Sequence, residues 1–232
     1  MTADTWDRRA SRTGLHAVLT KRWSPAQCTQ VDKEQQRAVA AILPPMDGKR
    51  VLDIGCGIGR ITGWLAAGIA HGKTQGPAVP ALVVGIDGSS AMLARAGERV
   101  SGGNVHFVRA CAQRLPFADN AFDVAVTVSV LQHVIDDAEF RAACQEIGRT
   151  VRLGGCLVCL EGMAGASPES GVGRDNYPDE GTPIPGIGTI RRDIGQFGEA
   201  FRPWLILDDA RPLRCITDDY VVSRWTRASE AN

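Results

Sequence analysis

Residues 51–62 read Val51-Leu52-Asp53-Ile54-Gly55-Cys56-Gly57-Ile58-Gly59-Arg60-Ile61-Thr62. The opening apolar run reads as a buried strand with an acid near its carboxyl end. Gly55, Gly57 and Gly59 alternate behind it, and a helical pattern continues through Trp64, Leu65 and Ala67. Strand, turn and helix are therefore expected in immediate succession. Glycines at such a turn let backbone approach a ligand closely, because they carry no Cβ and tolerate positive φ. The helix that starts behind them turns unpaired N–H groups toward something polar.

Spacing narrows the ligand. A dinucleotide fingerprint needs G-x-G-x-x-G, whereas here Arg60 follows Gly59 and the pattern is G-x-G-x-G preceded by Asp53. A carboxylate at the strand end also serves a phosphate poorly, which opposes a nicotinamide dinucleotide. S-adenosylmethionine carries no phosphate; its ammonium suits Asp53 and its carboxylate suits Arg60. On these residues the stretch resembles the first motif of class I S-adenosylmethionine-dependent methyltransferases, D-x-G-x-G-x-G. The resemblance implies an α/β fold: a Rossmann-like, seven-stranded, mostly parallel sheet with helices on both faces, joined here to an amino-terminal helical extension. It also implies S-adenosylmethionine as cofactor and S-adenosylhomocysteine as product.

Downstream patterns continue the same reading. Ala81 to Asp87 is a second buried strand ending in an acid, which can accept from two vicinal ribose hydroxyls without needing a donor of its own. Such an acid usually stands ~20 residues beyond the glycines; the Gly- and Pro-rich loop over 68–80 accounts for its later position here. Gly88 and Ser89 open the next helix and match the family's D-x-S-x-x-M-L, with Met92 expected in the core. After a third strand over 105–108, Cys111 stands where the family commonly has an aspartate near adenine. Backbone groups of Ala112 and the side-chain amide of Gln113 are left to recognise the base. A fourth strand over 124–130 places Ser129, Gln132 and His133 at or just past its carboxyl end, where open α/β sheets bind ligands. A helix over 137–150 leads to a fifth strand, 156–161, that ends in Glu161. Strands over 204–207 and 220–225 are expected to complete the sheet.

Two segments lie outside this pattern. Residues 1–48 are expected to be a helical extension, with one helix over 31–43 ended by Pro44-Pro45. The resemblance implies a lid over cofactor and substrate, with His16 and Trp23 meeting substrate; helices that only cover a sheet edge would carry the same pattern. Residues 49–232 form the methyltransferase domain in this reading. Within it, 162–195 is rich in Gly and Pro with little periodicity, and is expected to be a substrate-covering insertion at the crevice mouth.

Composition bounds the partners. At 232 residues and 24.8 kDa the chain suits one α/β domain. Twenty-six basic residues balance 26 acidic ones, so no nucleic-acid partner is expected, since tight binding would want a positive surface. Seven cysteines, an odd and scattered set, fit reduced thiols and a cytoplasmic location. Cys156 and Cys159 stand three apart in a strand and should face opposite ways, which opposes both a chelate and a disulfide. The histidines show no metal-ligand spacing, so no metal is expected. No apolar run approaches the ~20 residues of a membrane span, and no membrane partner is expected. The polar start through Arg12 does not resemble a signal peptide.

Methyl transfer is an in-line displacement at a sulfonium carbon, so positioning is the protein's main task and a base is needed only if the acceptor must lose a proton. His133 is the candidate base, since an unperturbed imidazole titrates near neutrality. Asp175 and Glu161 are further candidates near the substrate, although charged loop residues are often only solvated. Gly57 to Thr62, Ala112-Gln113, His133 and Gly173-Arg174-Asp175 are similar, in that order, to protein α-amino-terminal methyltransferases. That resemblance implies a cofactor site lined by Arg60, Asp87, Ala112, Gln113 and Val128, with His133 and Asp175 flanking an amine. Ser129 stands where that family has a tryptophan against the peptide, and Gly162 where it has an asparagine that holds the amino group. The expected reaction is therefore methyl transfer to an oxygen or nitrogen atom of a small molecule, in secondary metabolism. A peptide or protein amino terminus is the alternative acceptor, and a protein that binds S-adenosylmethionine without transferring its methyl group is another reading.

Overall fold

A computed structural model of the chain describes residues 3–19, 23–69, 78–164, 173–177, 187–215 and 218–228, with backbone alone at 173–177, 187, 214–215 and 218–219. Five strands, β1 (Arg50–Ile54), β2 (Leu82–Asp87), β3 (Val105–Arg109), β4 (Phe122–Val128) and β5 (Val151–Glu161), lie parallel in the order β3-β2-β1-β4-β5. A separate antiparallel pair, β6 (Gly173–Tyr177) and β7 (Ile187–Arg191), follows them in sequence. Then β8 (Ile206–Cys215) and β9 (Asp218–Thr226) complete a seven-stranded sheet, with β9 antiparallel between β5 and β8. Strand order reverses at β1, which has β2 on one side and β4 on the other. A crevice opens at the carboxyl ends of strands at such a reversal.

Both faces of the central strands are buried, as a parallel sheet covered by helices requires. Along β5, Cys156, Val158 and Leu160 enter one core with Val51, Val124 and Val126, while Leu157 and Cys159 enter the other with Leu52 and Ile54. The two thiols therefore point to opposite faces, as the two-residue strand period demands. Helices α2 (Pro25–Ala40) and α3 (Arg60–Ala66) close the first core through Cys28, Val31, Ile61 and Leu65. Helix α5 (Asp137–Thr150) and α6 (Ile194–Phe201) close the second through Phe140, Ile147, Phe197 and Phe201. Helix α4 (Ser90–Arg99) packs against β2 and β3 and buries Met92 at 1% exposure, a core residue as expected.

Local signals set most boundaries. Ser24 and Gln27 cap α2 reciprocally with Pro25 in its first turn, so the helix begins before the expected 31–43 span and ends at Ala40. Asp193 and Gln196 cap α6 in the same way. The last two strands differ from expectation: Trp204 lies in the turn after α6, and β8 runs on to Cys215, because its pairing with β9 sets its length. The Gly- and Pro-rich segment 162–195 contains the β6–β7 hairpin and the first residues of α6, neither legible from periodicity; 165–172 and 178–186 lie outside the described residues. No helix among the described residues is long and apolar enough to cross a membrane.

The amino-terminal residues are anchored to α4. On α1 (Ala3–Ala10), the Asp7 carboxylate accepts from the Ser89 hydroxyl at 2.5 Å and from the Ala91 N–H at 3.1 Å. Arg95 of α4 donates to the carbonyls of Ala10 and Arg12, each at 2.6 Å. The Arg9 guanidinium donates to the carbonyls of Ala17 and Leu19, closing the loop behind α1. One turn glycine is under a sharper constraint than the rest. Gly55 has φ +67°, and a Cβ there would stand 2.5 Å from Cγ2 of Val130. Gly55→Ala is expected to cost about 2–4 kcal/mol, combining left-handed backbone strain with overpacking. Chemical denaturation measures this, and an unchanged midpoint would mean that the turn relaxes freely.

Candidate active site

At the reversal point the tips of β1, β2 and β4 surround a cavity of about 200 Å³. Asp53 and Asp87, from adjacent parallel strands, both line it. Asp53 is 2% exposed and accepts from the Thr62 hydroxyl at 2.5 Å. Burial pushes its carboxyl up to about 7, against the opposing pull of the Thr62 hydrogen bond and the Arg60 charge; the nearby Asp87 charge adds to the rise. Burial also raises Asp87, although the Ser89 and Gly57 N–H groups, at 2.8 and 2.9 Å, oppose it. Two carboxylates in a low-dielectric pocket are costly when ionised together. The arrangement is thus electrostatically ready for a cation.

Arg60 opens α3, lines the cavity and is 7% exposed. Its Nη1 donates to Asp32 at 2.7 Å and its Nη2 to Gln35 at 2.8 Å, so α2 holds the guanidinium in place. A guanidinium has five N–H donors, and these two bonds leave others for a carboxylate. Gly55, Gly57 and Gly88 supply bare backbone to the wall, and Ser89 adjoins them while its hydroxyl is given to Asp7. Ala112 and Gln113 line the side near α5, where the Gln113 amide donates to Glu139 at 3.4 Å. Val128, Ser129 and His133 form the wall beyond β4.

His133 sits under two elements remote in sequence. The Trp6 ring of α1 meets it edge-on, with centroids 5.3 Å apart, and its Nδ1 is 3.4 Å from the Gly188 carbonyl of β7. A carbonyl only accepts, so Nδ1 carries the proton and Nε2 keeps its lone pair. Burial lowers the imidazole to about 4, with the Gly188 hydrogen bond opposing; the ring is neutral at physiological pH.

Several expected site residues do other work. Glu161 is 0% exposed and does not line the cavity. Its carboxylate accepts from the N–H groups of Val130 and Leu131 through Oε1 and of Gln132 through Oε2, at 3.0–3.1 Å, tying down the 3-10 turn Leu131–His133. Its pKa is pushed up to about 7 by burial, against those hydrogen bonds. His16 is spent internally, its Nε2 donating to the Trp23 carbonyl at 2.8 Å, and Trp23 itself is core at 6% exposure. Neither lines the cavity. Gly59 also stands back from it, because its open Cα lets α3 approach α4 at Ala96 and Val100. Asp175 lies on β6 opposite Thr189, and its side chain is outside the described residues. Ala3, Trp6 and Val18, which belong to no motif in the sequence, also line the wall from the amino-terminal segment. Among the described residues no cluster could hold a metal ion.

A reversed parallel sheet with an acid at each of two strand tips and a glycine turn between them fits the fold of S-adenosylmethionine-dependent methyltransferases. Residues 52–159 match the family described as "Methyltransferase domain" (Methyltransf_11). The chain is 35% identical over 173 residues to the O-methyltransferase cnsE of Penicillium expansum, covering 75% of this chain and 52% of that one. It is 32% identical over 135 residues to the demethylmenaquinone methyltransferase of Roseiflexus sp. strain RS-1, covering 56% and 50%. The chain thus spans about half the length of these curated relatives. In fold it superimposes on an S-adenosylmethionine-dependent methyltransferase of Leishmania major with TM-score 0.70 at 17% identity, covering 97% and 81%.

Proposed function

We propose that this protein transfers the methyl group of S-adenosylmethionine to an oxygen or nitrogen atom of a small molecule. The observation that carries the reading is a pair of carboxylates, Asp53 buried and Asp87 partly buried, in one cavity with a neutral imidazole. Asp53 takes the cofactor's ammonium, Arg60 its carboxylate and Asp87 the ribose hydroxyls, with Gly55, Gly57, Gly88 and Ser89 framing the turn. Ala112 and Gln113 receive the adenine and Val128 lines the sulfur side. The bound cofactor supplies an activated methyl group, which leaves the protein the tasks of positioning and proton removal.

His133 removes the acceptor's proton through Nε2, and Ser129 contacts the acceptor. Residues 1–48 act as a lid through Trp6, and the β6–β7 hairpin, with Asp175, covers the other side of His133. Such a closed roof excludes water from the reacting atoms. The likeness to an O-methyltransferase supports an oxygen acceptor. Cys56, Cys111, Cys144, Cys156 and Cys159 are free thiols, which supports a reducing, cytoplasmic setting.

Titration calorimetry with S-adenosylmethionine and with NAD tests the cofactor; heat from NAD alone would end this reading. His133→Ala is expected to lower turnover by about 10²- to 10⁴-fold, the usual worth of a positioned general base, while leaving cofactor affinity within about twofold. Equal turnover would reduce His133 to a structural residue.

A further inference from the structure

The charges of the cavity are unevenly placed. Asp53, Asp87 and Arg60 cluster at the tips of β1 and β2 and at the start of α3, and Glu139 faces Gln113. Beyond β4 the wall is made by Trp6, Val128, Ser129, Val130, His133 and Val134, none of which is charged when the imidazole is neutral. Two polar groups on that wall have unspent capacity. The Ser129 hydroxyl is buried and has no hydrogen-bond partner, and its residue holds φ +58°, an uncommon conformation for anything but glycine. His133, with Nδ1 turned to Gly188, presents Nε2 as an acceptor only.

A buried hydroxyl left unpaired is costly, and backbone strain of this kind concentrates where function needs it. A ligand group meeting both Ser129 and His133 would have to accept from one and donate to the other. A hydroxyl does so; an ammonium only donates, and a carboxylate would face the His133 lone pair. The weak basicity of a desolvated imidazole further favours a hydroxyl acidic enough to give up its proton readily.

We propose that the methyl acceptor is a phenol-type hydroxyl on a neutral, ring-sized apolar molecule, held by His133 as hydrogen-bond acceptor and by Ser129 as donor, with the Trp6 ring against its body. This rests on the methyltransferase reading above. In the step, the O–H proton passes to Nε2 of His133 and the oxygen's electron pair forms the new O–C bond. The C–S bond breaks with its pair kept by sulfur, and the imidazolium then returns its proton to water.

The test uses the full chain loaded with S-adenosylhomocysteine and three matched probes, 2-naphthol, 2-(aminomethyl)naphthalene and 2-naphthoic acid, titrated by calorimetry. Naphthol is expected to bind at least about tenfold more tightly than either isostere, the scale of one discriminating hydrogen bond. Ser129→Gly removes the hydroxyl and relieves the positive φ, so the fold is kept while the naphthol preference falls. Amine or acid binding equal to naphthol, no naphthol binding, or an unchanged preference in both Ser129→Gly and His133→Ala would overturn the inference. Failure of S-adenosylhomocysteine itself to bind would instead overturn the methyltransferase reading and this inference with it.

Discussion

Asp53→Ala and Asp87→Ala are each expected to weaken S-adenosylmethionine binding by about 10- to 150-fold, the equivalent of losing one charge-assisted interaction of roughly 1.5–3 kcal/mol. The two losses should differ in kind. Asp87 also receives the Gly57 and Ser89 N–H groups, so its removal loosens the glycine turn and lowers stability as well. Asp53 carries the pH dependence. In the free protein its carboxyl titrates near 7, because burial disfavours the charge. A bound ammonium favours the charge, so binding at pH 6 must expel a proton, and affinity should rise with pH until about 7 and level off above it. Calorimetry in buffers of different ionisation enthalpy reads that proton directly, and Asp53→Ala should abolish its release. Unchanged affinity in both variants would mean that the cofactor lies elsewhere.

Glu161→Ala should be the most damaging single change to the fold near the site. It leaves the N–H groups of Val130, Leu131 and Gln132 facing an apolar void in place of a carboxylate. Each unsatisfied buried group costs about 1–3 kcal/mol, and partial relaxation brings the expected total to about 3–5 kcal/mol, a large share of a typical domain's stability of roughly 5–15. Turnover should fall further than stability alone predicts, because the turn so held carries His133. Glu161→Gln keeps one acceptor oxygen and should lie between the two. Urea denaturation and the ratio of kcat to KM separate the two effects; an Ala variant of native stability would show that the carboxylate is not the anchor of that turn.

What the sequence by itself determined is whatever depends on near neighbours along the chain. An apolar run, an acid and alternating glycines specify strand, carboxylate and turn within twelve residues, and a second run ending at Asp87 repeats the signal. The same locality put Cys156 and Cys159 on opposite faces. What only the tertiary structure decided is how side chains at those ends are spent. Glu161 and His133 both stand at the active edge in sequence, yet one turns inward to three N–H groups and the other keeps a free nitrogen in the cavity. His16 turned to its own loop, while Trp6, with no motif around it, reached the wall. The tautomer of His133 depends on Gly188, and the grip on Arg60 depends on Asp32 and Gln35. These contacts join residues tens of positions apart. A buried polar group takes whichever partner packing brings near it, and periodicity along one segment holds no information about another.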